Sequence, residues 1–256
     1  MKFYTMGKKG NPAILFFHAM GVTGQSSVPV ATYLKDDYYC VMPSSSVYCK
    51  DQHYISKNDE VKQVETFLQE QGISQLALVV ASSIGADLAM AFLTTTTCKV
   101  DHVFFDGGQF AQIPKMVRSI MTPFLYLAIK SLAWSKGKTL KYILWCDDEA
   151  IKPYFIEAGL GLTYSNLRMQ LSDSLVNHAF PTLSKEMQEH TIFEFGSVED
   201  HYKYRDAVMK AYPYGQYPVF DHYNHMQNQI RNPKGFATML IHVIQENTLP
   251  DLPFMK

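Results

Sequence analysis

The chain is predicted to fold as an α/β protein on a mostly parallel sheet, with a helical insert before the last strands. Three features point there. Short, continuous apolar runs such as Ala13-Ile14-Leu15-Phe16-Phe17 and Leu76-Ala77-Leu78-Val79-Val80 are what strands buried on both faces of a parallel sheet require. Stretches with apolar residues at helical spacing separate these runs. Strand signals then stop between about 110 and 189 and resume with Thr191-Ile192-Phe193-Glu194-Phe195-Gly196.

In order, a strand over 2–6 turns at Gly10-Asn11-Pro12 into the strand over 13–17, and a further buried strand is expected over 38–42. Ser56-Lys57-Asn58-Asp59 resembles a capping box, and Val61, Val64, Phe67 and Leu68 then share a helix face that Gly72 ends. The strand over 76–80 leads through a turn into a helix over 86–93, and His102-Val103-Phe104-Phe105 is a sixth-strand candidate ending at Asp106-Gly107-Gly108. After the insert come a strand over 191–196, a helix to Ala211, a strand around Pro218-Val219-Phe220, and a final helix opened by Pro233. Phe236, Met239, Leu240, Val243 and Ile244 lie on one face of that helix. The expected division is a core of residues 1–109 and 190–256 with a helical cap, 110–189, inserted in the same domain.

The totals exclude several function classes. With 47% hydrophobic and 18% charged residues among 256, the chain is globular and large enough for one deep core. Basic and acidic residues nearly balance, 23 against 24, without a basic cluster that would suggest nucleic acid. Cys40, Cys49, Cys98 and Cys146 form no CxxC pair, which reads as reduced thiols. The first residues reach Gly7-Lys8-Lys9-Gly10 at once, unlike a signal peptide, so the expected address is cytoplasmic. No membrane span is expected, since the apolar run 116–134 carries Arg118 and Lys130 and is broken by Pro123.

Ala81-Ser82-Ser83-Ile84-Gly85 is the most informative stretch. A serine between a buried strand and a helix, with small residues two before and two after, reads as a nucleophile elbow. That spacing selects Ser83, because Ser82 would have bulky Ile84 at its plus-two position. A serine hydroxyl needs a base to take its proton and a third group to hold the base. On an elbow scaffold the chain order is nucleophile, acid, histidine. Ser197-Val198-Glu199-Asp200 supplies carboxylates after one strand, and Asp221-His222-Tyr223-Asn224-His225 supplies two histidines after the next.

Four local matches make the chain resemble the α/β-hydrolase superfamily. Phe16-Phe17-His18-Ala19-Met20-Gly21 looks like the His-Gly-x-Gly oxyanion motif, with Ala19 for the usual glycine. The elbow carries Ala81 for its first glycine. Gly196 to Glu199 matches the Gly-x-x-acid pattern, and Asn224-His225 precedes the last helix. The resemblance implies an α/β-hydrolase fold with a helical cap, Ser83 as nucleophile, His225 as general base and Glu199 as orienting acid. The backbone amides of Met20 and Ile84 would form the oxyanion hole. Asp200, one residue beyond the matching spacing, is the alternative acid, and Asp106 occupies a place where some members carry theirs. His222 is the rival of His225.

Taken singly, these pieces have plainer readings. Ser83 could be a helix N-cap, and Glu199 and Asp200 could face a helix dipole. His18 reads as structural, fixing its loop. His222 and His225 lack a third ligand for a metal, and His53, His102, His178, His190, His201 and His242 are scattered. The resemblance implies a serine hydrolase, carboxylesterase-like, acting on a small to medium ester with an apolar portion, without organic cofactor or metal. Carbon–carbon hydrolase, acyltransferase, lyase and perhydrolase chemistry would use the same residues. A non-catalytic binding protein is the reading that Ala19 and Ala81 favour.

Overall fold

The computed structural model describes residues 1–108, 110, 113–145, 148–174 and 180–255. Eight strands join in one sheet: β1 (Lys2–Met6), β2 (Ala13–Phe17), β3 (Tyr39–Ser44), β4 (Gln75–Ser82), β5 (Lys99–Val100), β6 (Val103–Asp106), β7 (Thr191–Gly196) and β8 (Val219–Phe220). Their order is β1-β3-β2-β4-β6-β7-β8, with the short β5 alongside the start of β4. Only β1 runs antiparallel, pairing with β3 from Lys2↔Ser44 to Met6↔Cys40. That pairing draws β3 on through Pro43 to Ser44, past the expected end at residue 42. From β2 the chain turns outward to β3, and it then returns to β4 on the other side. The sheet therefore has its topological switch point between β2 and β4, where the carboxyl ends of strands leave a crevice.

The apolar runs fill both faces of the sheet. Leu15, Phe17, Val79, Ala81 and Phe105 face one layer, built by α2 (Lys57–Glu70) and α3 (Gly85–Thr95). Ile14, Phe16, Leu78, Val80 and Phe104 face the other. There they meet α1 (Val28–Ala31) and the last helix. Continuous apolar sequence is thus read twice, alternate residues serving opposite faces. Ser56 caps α2 by accepting from the Asp59 amide at 3.1 Å, and Gly72 beyond its end has a φ of +73°.

Between β6 and β7 come α4 (Lys115–Trp134), α5 (Leu140–Ile143), α6 (Lys152–Gly161), α7 (Tyr164–Ser174) and α8 (Lys185–Glu189). Ile129, Ala158, Leu167 and Leu171 form the buried seam of this group. The expectation that Pro123 interrupts the run 116–134 is corrected here, because α4 continues through it. Proline removes one backbone hydrogen bond, a cost of about 3 kcal/mol in a helix interior. Packing of Thr122, Ile129 and Leu132 on either side of Pro123 holds the helix together nonetheless. After β7 follow α9 (Arg205–Ala211), α10 (Gln227–Arg231) and α11 (Pro233–Glu246). The C-terminal segment returns to the sheet, with Phe254 ring-stacked on Tyr223 at 4.7 Å and Met255 bridging Phe220.

Candidate functional site

Ser83 stands in the turn between β4 and α3 with a φ of +53°, in the left-handed region that L-residues avoid at a cost of about 1–2 kcal/mol. Its surroundings leave it no alternative. Its amide donates to the Asp106 carbonyl at 3.1 Å, and its carbonyl accepts from the Ala86 amide at 3.1 Å. A Cβ at Gly85 would lie 2.5 Å from the Phe17 carbonyl oxygen and 2.8 Å from that of His18, so the plus-two position admits only glycine. The minus-two position is less demanding. Ala81 carries its methyl into the core beside Val79 and Phe105. Ser82 points elsewhere, its hydroxyl accepting from Gln229 Nε2 at 2.9 Å.

Glu199 lies in the loop after β7 with its side chain only 1% exposed. Its Oε1 accepts from the Gly196 amide at 3.1 Å, and its Oε2 lies 2.5 Å from His225 Nδ1. A carboxylate can only accept, so Nδ1 carries the proton and Nε2 is the free ring nitrogen. Ser83 and His225 line one cavity of about 260 Å³, together with Met20, Trp145, Ile151 and Phe155. Trp145 reaches across from the helical segment, donating from Nε1 to the His225 carbonyl at 2.9 Å while Arg231 lies over its ring. Gly107, with a φ of +57°, makes the histidine–acid contact sterically available. A Cβ there would come within 2.5 Å of His225 Nδ1 and 2.7 Å of Glu199 Oε2.

The loop after β2 supplies the opposite wall. His18 is buried, donates from Nδ1 to the Ala19 carbonyl at 2.8 Å and accepts on Nε2 from the Ser45 amide at 3.0 Å. Burial pushes its pKa down to about 4, so the ring is neutral and pins the loop. Met20 follows it at the cavity, and Ile84 follows Ser83 at the start of α3. Neither amide donates to a turn or loop carbonyl among the described residues.

The rival residues stand apart. Asp200 is exposed at the start of a single-turn helix, Asp200–Tyr204, and does not pair with His225. The His222 side chain is 87% exposed, with Nε2 3.5 Å from Asp221. Asp106 is buried and close enough to feel both His225 and Glu199, but no hydrogen bond or ion pair joins it to His225 among the described residues. The β6–β7 register sets Asp106 opposite Glu194, so that two buried carboxyls face each other. Burial, and for Glu194 the neighbouring carboxylates, drive both pKa values up, that of Asp106 to about 6.

Sequence reasoning missed Glu194, Gln229, Trp145 and Gly107 as parts of this site. Glu194 had a signal: it is the one charge inside an otherwise apolar strand run. The histidines expected to be scattered are not all so. The His201 ring meets that of His225 edge-on at 4.7 Å, its Nδ1 donating to the Gly107 carbonyl at 3.0 Å. His102 stacks on His190 at 5.2 Å, and His178 lies outside the described residues. The sequence-level pairing of His222 with His225 therefore gives way to a different set. Glu199, His201 and His225 each offer a ligand atom within 4.8 Å of the others. A cation there would compete with the short Glu199–His225 hydrogen bond for the same atoms.

No protein-family model matches the chain, and no curated protein sequence matches it. Solved structures do. A protein of Desulfitobacterium hafniense assigned to the α/β-hydrolase family superposes with a TM-score of 0.74 at 16% identity, over 95% of this chain and 100% of that one. MenH of S. aureus gives 0.70 at 13% identity, over 96% and 97%. Carboxylesterase CesB of Bacillus subtilis gives 0.66 at 14%, over 96% and 88%. This chain has the α/β-hydrolase fold. Ser83, Glu199 and His225 follow the carboxyl ends of β4, β7 and β8, which lie on the same side of the switch point with β6 between β4 and β7. Among the described residues no helix is long and apolar enough to cross a membrane.

Proposed function

We propose that the protein is a serine hydrolase of carboxylesterase type. The carrying observation is the Glu199 carboxylate held 2.5 Å from Nδ1 of a histidine that lines the same cavity as Ser83. In this reading His225 Nε2 takes the Ser83 proton as Oγ bonds to the substrate carbonyl carbon, and Glu199 stabilises the imidazolium. The amides of Met20 and Ile84 receive the developing oxyanion. His225 then protonates the leaving alkoxide as the carbon–oxygen bond breaks. Water, deprotonated by the same imidazole, releases the acid from the acyl-enzyme.

Residues 110–189 serve as the cap and residues 1–109 and 190–256 as the core. The cavity, about 260 Å³ and walled by Met20, Ile151 and Phe155, lies below the roughly 300–1,000 Å³ that drug-sized ligands occupy. A short or compact apolar acyl group fits that volume. Free Cys40, Cys49 and Cys98 suit the cytoplasm, where thiols stay reduced.

A series of p-nitrophenyl esters of increasing acyl length, run beside a vinylogous diketone, tests the assignment. The expected kcat/KM is highest for short acyl chains and at least about tenfold lower for a dodecanoyl ester. Preference for the diketone, or no ester turnover by folded protein, would overturn it.

A further inference from the structure

Helix α4 is apolar on two opposite sides. Its inner side buries Thr122, Ile129 and Leu132. On the outer side Met116, Ile120, Phe124, Leu127 and Trp134 recur at intervals of four, four, three and seven, so they share one face. All five are more than half exposed, from 52% at Leu127 to 74% at Met116. A surface helix ordinarily carries charges there, and a contiguous apolar stripe of this kind marks a contact surface.

The charges around the stripe say what it contacts. Between Asp106 and Asp147 the chain has six basic residues and no acidic one, although its overall net charge is −1. Arg118 and Lys130 turn inward, donating to the Leu171 and Ser172 carbonyls and to that of Gly159. Lys115 before the stripe and Lys136, Lys138 and Lys141 after it are exposed, and none meets a carboxylate among the described residues. Tyr142, 79% exposed, stands beside Lys141. Two copies meeting through this same face fit badly, because their contact would bring two sets of lysines together with no acid between them.

We propose that this face docks on an anionic lipid bilayer. Helix α4 lies in the plane of the interface, its apolar stripe among the upper acyl chains and the four lysines on headgroup phosphates. Apolar residues with flanking cations and interfacial aromatics are the combination that holds a helix on a membrane without crossing it. The inference stands on the outer face of α4 alone and does not depend on the hydrolase reading.

Co-sedimentation of the full chain with vesicles tests it, using pure phosphatidylcholine against phosphatidylcholine containing about one third phosphatidylglycerol. Binding is expected to the anionic vesicles only and to fall as salt shortens the Debye length. Phe124→Ser with Trp134→Ser should lower the partition coefficient at least about tenfold. Each of Lys115→Gln, Lys136→Gln, Lys138→Gln and Lys141→Gln should lower it about fivefold. These side chains are exposed, so unchanged melting of each variant confirms that folding is intact. No binding, equal binding to neutral vesicles, or a concentration-dependent dimer that Phe124→Ser disperses would overturn the proposal.

Discussion

Replacing Gly107 with alanine separates the proposed role of the His225–Glu199 contact from general stability. Two effects act at this position. Its φ of +57° costs an alanine about 1–2 kcal/mol, and the new methyl would sit 2.5 Å from His225 Nδ1 and 2.7 Å from Glu199 Oε2. Relieving those contacts needs a displacement of roughly 1 Å, and the Glu199 side chain, 1% exposed, has no solvent to retreat into. A displacement of that size costs about 10²-fold in rate, and full loss of the orienting carboxylate about 10⁴-fold. The expected result is a 10²- to 10⁴-fold fall in kcat on a p-nitrophenyl ester. The accompanying drop in Tm should be about 2–8 °C, from about 2–4 °C per kcal/mol in a chain of this size. Gly72→Ala is the control, since Gly72 has a φ of +73° with nothing within 4 Å of an added Cβ. It should lose stability similarly and keep its rate. If Gly107→Ala retained activity within about twofold of Gly72→Ala, the histidine–acid contact would not govern the reaction.

Other perturbations probe the surroundings of that contact. The Asp106 and Glu194 carboxyls have pKa values raised by burial, so each favours the fold at low pH and loses that contribution as pH rises through its folded pKa, about 6 for Asp106. Glu194→Gln should therefore melt higher than the parent at pH 8 and show a smaller difference near pH 4. A lower Tm at pH 8 would contradict the burial argument. Trp145→Phe removes the indole donor to the His225 carbonyl while keeping an apolar wall. A hydrogen bond worth about 0.5–1.5 kcal/mol converts to a two- to tenfold fall in kcat, with KM little changed. An unchanged kcat would show that the contact is not used.

The parallel strands were legible because burial on both faces writes them as unbroken apolar runs, as at 13–17 and 76–80. Ser83 was legible through its small neighbours, and the structure shows that Gly85 meets the stricter demand of the two. Spacing singled out Glu199 over Asp200, and the fold buries the first and exposes the second. What spacing could not reveal was lateral. The facing of Asp106 and Glu194 depends on β6–β7 register between segments 88 residues apart in sequence, 194 minus 106. His201 meets His225 only because the turn after Glu199 folds back over Gly107. Trp145 arrives from a helical segment whose packing no local pattern specifies. Pro123 misled because propensity yielded to the packing of α4 on α6 and α7.

A fluorophosphonate probe, followed by intact mass and peptide mapping, asks most directly whether Ser83 is an activated hydroxyl. One adduct is expected, mapped to Ser83, absent in Ser83→Ala and formed far more slowly in His225→Gln. Equal labelling of Ser83→Ala, or an adduct on Ser82, would contradict the account.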